Sequence, residues 1–166
     1  FGDWSSDVCS SDQLRQQGPL PTVSQQIESG KAHYLKIRGA QKYIAYFQTF
    51  TNTYGPLHHL KAIYDEALSH EDILGLSIGT RPDCVPDPVL DLLESYAKHY
   101  QIWVELGLQS IHERTLQALN RGHTAAQFLD AIQRTAGRGI HICVHIIVGL
   151  PGVNHDDIME TAHALA

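Results

Sequence analysis

Three cysteines in 166 residues, Cys9, Cys84 and Cys143, are too few and too far apart for a disulfide framework or a zinc pattern. That scarcity fits a reducing, cytoplasmic setting. Basic charge is also short. Twelve Lys and Arg against 18 Asp and Glu leave a net charge of −6, which offers no field to a phosphate backbone and argues against a nucleic-acid partner for this segment. No apolar run approaches the roughly 18 residues of a membrane span, and no signal peptide opens the chain, so no membrane partner is expected. What the chain does have is a core: 43% hydrophobic residues with only 18% charged suits a parallel sheet whose strands read as apolar runs.

The chain begins with Phe1 rather than Met, and Ser-Ser-Asp occurs twice within residues 4–12 at a spacing of five. This stretch has neither a helical nor a strand period. It resembles the translated sequence of a sequencing-library adapter, and residues 1–12 are read as a non-native or disordered tail. Residues 13–166 are expected to be the central part of one domain, cut at both ends, because Ala166 falls inside a helix pattern.

From Pro19 onward strands and helices alternate. Ser24 is expected to cap a helix to about Arg38, and 42–47 reads as a strand followed by a polar loop at 49–54. Pro56 opens a helix through about Ser69. Strands at 73–78, 102–108 and 140–148 are separated by helices at 87–98, 112–119 and 124–138, and a last helix starts near Asn154. Such alternation predicts right-handed βαβ units and a parallel sheet.

Side-chain parity sorts the later strands into two faces. Ile102, Val104, Leu106 and Leu108 oppose Trp103, Glu105, Gly107 and Gln109. Ile142, Val144, Ile146 and Val148 oppose His141, Cys143, His145 and Ile147. On the strand before them, Leu74, Leu76 and Ile78 oppose Gly75, Ser77 and Gly79, with Arg81 just beyond. One apolar face and one polar or glycine-rich face predict an α/β barrel with a polar lumen, its ligand groups toward the strand C-termini. The strand from Tyr43 sorts poorly.

Four strand ends carry recognisable segments: Tyr46-Phe47-Gln48-Thr49-Phe50-Thr51-Asn52-Thr53, Ser77-Ile78-Gly79-Thr80-Arg81-Pro82-Asp83, Glu105-Leu106-Gly107-Leu108-Gln109-Ser110 with Asn120-Arg121-Gly122-His123-Thr124 beyond it, and Gly149-Leu150-Pro151-Gly152. Together they resemble the core of radical S-adenosylmethionine (SAM) proteins, most closely the YhcC-like family. The Thr-Arg-Pro-Asp and Asn-Arg-Gly-His-Thr pieces also resemble the Elongator catalytic subunit.

The resemblance implies a partial (β/α)6 barrel, about four of its parallel strands being present here. It implies an enzyme that in full length uses a [4Fe–4S] cluster to cleave SAM reductively, with electrons from a donor such as flavodoxin or ferredoxin. The cluster needs three thiolates in a C-x3-C-x2-C loop or a longer-spaced relative; the sequence has none, so the loop is expected upstream and this chain is expected to hold no cluster. By resemblance Gln109 and Arg121 contact SAM, the arginine through a carboxylate or ribose oxygen. Thr49 and Thr51 lie in the loop that replaces a glycine-rich motif meeting the SAM amino group, though without its glycines. Gly79 stands where relatives carry a glutamate on SAM, and Glu105 is the candidate substitute. Arg81 and His145, the latter in place of an aspartate, complete the set. Core packing explains Cys84 and Cys143, and His141 with His145 lacks a third metal ligand. The alternatives are a non-catalytic nucleotide- or partner-binding barrel and a tRNA-modifying enzyme.

Overall fold

The structure, a computed structural model, describes residues 21–166. The tail read at 1–12, and Cys9 within it, lie outside the described residues. Four strands, β1 (Tyr43–Phe47), β2 (Ile73–Thr80), β3 (Gln101–Gln109) and β4 (His141–Ile146), form one sheet in that order with every pairing parallel. Helix α1 (Val23–Arg38) precedes β1. Helices α2 (Leu57–Leu68) and α3 (Asp87–Ala97) carry the first two crossovers, α4 (Glu113–Ala118) and α5 (Ala125–Thr135) share the third, and α6 (His155–His163) follows β4. Right-handed crossovers between neighbours taken in sequence order put their helices on one face of the sheet. The sheet is therefore an arc of a barrel, and its other face stays open.

The helix-facing side is the core. Ile102, Val104, Leu106 and Leu108 are fully buried, as are Leu76 and Ile78, and they cluster with Leu60, Tyr64, Leu90, Leu93 and Phe128. Burial of each such side chain is worth about 1.5–3 kcal/mol. Strands β2 and β3 approach so closely at their start that a Cβ on Gly75 would sit 2.7 Å from the Gln101 carbonyl carbon. Three helices start on reciprocal capping boxes, Thr22 with Gln25, Thr124 with Gln127 and Asn154 with Asp157, each cap worth about 1 kcal/mol.

Some expectations change. Thr22, not Ser24, caps α1, because its hydroxyl reaches the Gln25 amide; the Ser24 amide instead donates to Glu66 Oε1 at 2.8 Å. Pro56 occupies the N-cap of α2 rather than its first turn. Leu74 is exposed instead of buried: the β1–β2 register steps from Ile73 to Gly75, leaving Leu74 as an unpaired extra residue that resets the alternation. Ile146 and Val148 are exposed too, because β4 ends at Ile146, after a register shift between Gly107 and Gln109.

Candidate functional site

On the open face one carboxylate gathers a side chain from each other strand. Glu105 on β3 accepts from Tyr46 Oη of β1 at 2.8 Å, from Ser77 Oγ of β2, and from His145 Nε2 of β4 at 2.8 Å. A carboxylate only accepts, so the His145 Nε2 that meets Glu105 carries a proton. Burial acts to raise the Glu105 pKa, but the hydrogen bonds from Ser77, Tyr46 and His145 outweigh it and hold the carboxyl below its ordinary range. Glu105 is thus an ionised post whose oxygens are largely taken up by its own sheet.

Two residues further along β3, Gly107 makes a floor. A Cβ there would come within 2.9 Å of Gln109 Nε2 and 3.2 Å of Arg121 Nη2, so the ends of both side chains lie directly over the strand at this glycine. Arg121 Nη2 also donates to the Gly107 carbonyl at 3.2 Å. Gln109 itself takes a left-handed backbone, φ 72°, as β3 ends. That conformation costs a non-glycine residue about 1–2 kcal/mol. Behind Arg121, His123 is almost wholly buried, at 3% exposure; burial first, and then the Arg121 charge, lower its pKa and keep the imidazole neutral.

The loop after β1 shows how a glycine-rich bend can form without glycine. Thr49 and Phe50 both adopt left-handed backbones, φ 73° and 63°. Asn52 Nδ2 holds them, lying 3.1 Å from the Phe47 carbonyl, 3.0 Å from that of Thr49 and 3.0 Å from that of Gly79. Tyr64 Oη clamps the Asn52 carbonyl from below at 2.6 Å. Thr53 Oγ1 donates its one proton to the Cys84 carbonyl at 2.5 Å, so Thr80 donates to Thr53 across 2.6 Å. The loops after β1 and β2 are thereby laced together.

All seven residues singled out from sequence, Thr49, Thr51, Arg81, Glu105, Gln109, Arg121 and His145, line a single cleft of about 210 Å³ at the strand C-termini. Arg81 differs from the rest, because its guanidinium is already engaged by Asp83 and the Gly122 carbonyl. Tyr46 and Asn52 stand in the segment recognised after β1 without being singled out there, the first because β1 is an edge strand with apolar residues on both faces, the second because a lone loop asparagine carries no periodic signal. A larger groove of about 520 Å³ runs between α1 and β1. Its one charged side chain, Lys31, is tied to Asp72 at 2.9 Å, so the chemistry concentrates in the smaller cleft.

The radical SAM superfamily profile matches residues 9–165. The chain belongs to the radical SAM superfamily. Within it the chain is YhcC-like: it is 45% identical to Escherichia coli YhcC over 126 residues, 75% of this chain and 41% of that protein. It is 46% identical to Bacillus subtilis YtqA over 125 residues, 75% of this chain and 39% of YtqA. The chain therefore spans about two-fifths of the length of these radical SAM relatives. The solved structure of Methanocaldococcus infernus Elp3 with an N-terminal deletion superposes with a TM-score of 0.66 at 18% identity, covering 85% of this chain and 39% of that one. That likeness shows the fold, an arc of parallel strands alternating with helices. Among the described residues no helix is long and apolar enough to cross a membrane.

The superfamily implies two groups, and the residues fit them differently. Cys84 and Cys143 lie on separate elements, and burial raises both thiol pKa values, with the Asp83 and Glu105 charges adding to it respectively. Cluster ligands must be thiolates, at close spacing, so these cysteines do not fit a [4Fe–4S] cluster. The cleft does suit SAM: an arginine fork for a carboxylate or ribose oxygen, a donor-acceptor amide beside it, and a floor cleared of side chain at Gly107.

Proposed function

We propose that these residues are the SAM-holding part of a radical SAM enzyme, with Gln109 and Arg121 as the principal contacts. The observation that supports this most is the convergence of Gln109 Nε2 and Arg121 Nη2 over Gly107 at the end of β3. Arg121 is suited to the negative end of the amino-acid moiety, and Gln109 to a ribose or adenine edge. Thr49 and Thr51 border the same cleft from the loop after β1 and can present hydroxyl or backbone groups to the amino end. Glu105 sits deeper, where its fixed negative charge complements a sulfonium or ammonium without giving up its three protein donors. His145 lines the same cleft. Bound SAM supplies the hydrogen-abstracting chemistry of the superfamily; cluster and protein electron donor, such as flavodoxin or ferredoxin, belong outside these residues.

The test uses the complete gene product with its cluster reconstituted anaerobically. Arg121→Ala should weaken SAM binding by titration by on the order of 2–5 kcal/mol, as when one partner of a desolvated charged contact is removed. Gln109→Ala should weaken it less, with iron content and circular dichroism unchanged in both. A surface arginine would cost under ~1 kcal/mol. Unchanged SAM affinity in Arg121→Ala would remove the cofactor assignment and leave a capping role.

A further inference from the structure

We infer that Arg81 does not bind the cofactor but positions the residue that does: with Asp83 it clamps the 120–124 loop and so presents Arg121 to the cleft. This rests on the assignment of Arg121 to SAM.

The clamp is built from two loops distant in sequence. Arg81 follows β2, and its side chain makes a two-point contact with Asp83, Nε to Oδ1 at 2.9 Å and Nη2 to Oδ2 at 2.5 Å. The same Nη2 donates to the Gly122 carbonyl at 3.2 Å. Asp83 is bound in place by the tight 3-10 turn Pro82–Cys84, closed by the Cys84 amide on the Arg81 carbonyl at 3.0 Å. A fork held at two points by a carboxylate on a rigid turn has little freedom left, so its remaining bond fixes whatever it reaches. What it reaches is the residue next to Arg121.

Gly122 has to be glycine for this contact. A Cβ at Gly122 would fall 2.9 Å from Arg81 Cζ and 3.0 Å from Nη1, too close to the guanidinium for either group to keep its place. The guanidinium cannot swing aside without leaving Asp83. The other end of the loop is fixed as well. The Arg121 amide donates to the Leu116 carbonyl at 2.9 Å, and Thr124 caps α5. Held on both flanks, Arg121 projects to Gly107 and Gln109. Thr-Arg-Pro-Asp and Asn-Arg-Gly-His-Thr are then two halves of one device, which explains why the two segments matter together although 40 residues separate Arg81 from Arg121.

A ligand role and a positioning role give different double-mutant behaviour. In the complete gene product with its cluster reconstituted, SAM affinity is titrated for Arg81→Ala, Arg81→Lys, Asp83→Asn, Gly122→Ala, Arg121→Ala and the Arg81→Ala/Arg121→Ala pair. Each clamp variant should weaken SAM binding roughly three- to tenfold, the range typical of coupled neighbours. Lysine should not rescue, because it lacks the fork. The double variant should bind no more weakly than Arg121→Ala alone. Hydrogen exchange measured without SAM should be faster at the 120–124 amides in the clamp variants. Additive losses would mean that Arg81 touches SAM itself, and would overturn the inference. Unchanged affinity in Arg81→Ala despite faster loop exchange would overturn it too. If Arg121→Ala leaves SAM binding intact, the cofactor assignment fails, while exchange at 120–124 still decides whether the clamp exists. Should Arg81→Ala not fold, Asp83→Asn releases the fork while keeping its stem in place, and its affinity and exchange rates decide between the same two roles.

Discussion

Removing Glu105 strips the open face of the acceptor on which three other strands converge. In Glu105→Ala the Ser77, Tyr46 and His145 donors lose their common partner. A hydrogen bond to a charged group is worth about 1.5–3 kcal/mol when buried. The Ser77 contact is partly buried and contributes most of that; Tyr46 and His145 are about half exposed, at 48% and 50%, and count closer to surface pairs at ~0–1 kcal/mol each. The sum is about 1.5–5 kcal/mol, or roughly 3–20 °C in Tm at about 2–4 °C per kcal/mol. Glu105→Gln keeps the shape and one acceptor and should lose about half as much. Thermal unfolding followed by circular dichroism reads both. The pH dependence has a fixed sign: the folded-state pKa is depressed. The stabilisation is therefore complete above the unfolded value, about 4.3–4.5, and is lost as pH falls through the folded pKa. The gap between parent and Glu105→Ala should narrow in acid. No gap at neutral pH, or one that fails to narrow below about pH 4, would refute the network. Loss of SAM binding in Glu105→Gln without any loss of stability would mean the carboxylate serves the cofactor rather than the sheet.

Other outcomes follow from single contacts. Gly107→Ala should fold, and because its Cβ meets only the flexible ends of Gln109 and Arg121 it should weaken SAM binding by titration modestly, by about 0.5–1 kcal/mol. His123 is neutral in the fold with its pKa below 6.5, so stability is full above that value and falls as pH drops below it, because the unfolded chain takes up the proton first. His123→Gln should flatten that limb by up to about 1.4 kcal/mol per pH unit, measured by urea unfolding between about pH 7 and 5. Asn52→Ala should cost about 1–3 kcal/mol and raise hydrogen exchange across 47–53, since it frees the carbonyls of Phe47 and Thr49 and leaves that of Gly79 with the residue-52 amide alone.

How far the sequence carried the fold depended on the strand. Strand β3 alternates without interruption, so Ile102, Val104, Leu106 and Leu108 are all buried while Glu105 and Gln109 border the lumen as parity requires. β2 obeys the same rule only after Gly75, because one unpaired residue at Leu74 shifts the phase, and a bulge leaves no mark in hydrophobicity. β1 keeps the alternation, with Ala45 buried, Tyr43 and Phe47 packed on the core and Ile44 and Tyr46 exposed, but apolar residues occupy both of its faces, so polarity does not sort them. That is why Tyr46 was invisible as a partner of Glu105. Site membership was more legible than role. Arg81 shows the difference, since a motif places an arginine in the cleft but only geometry shows its fork already held by Asp83.

The bend at Thr49 and Phe50 has a consequence for how this segment can vary between homologues. Two left-handed, non-glycine residues in succession are tolerated here because Asn52 binds the carbonyls around them. The conformation is thus secured by a third position instead of by the residues that adopt it. Positions 49, 50 and 52 should therefore covary. A lineage with glycine at 49 or 50 is free to lose the asparagine, and one that keeps threonine and phenylalanine is not. Pattern searches that demand glycine at this bend will pass over sequences of the second kind, although the backbone they encode is the same.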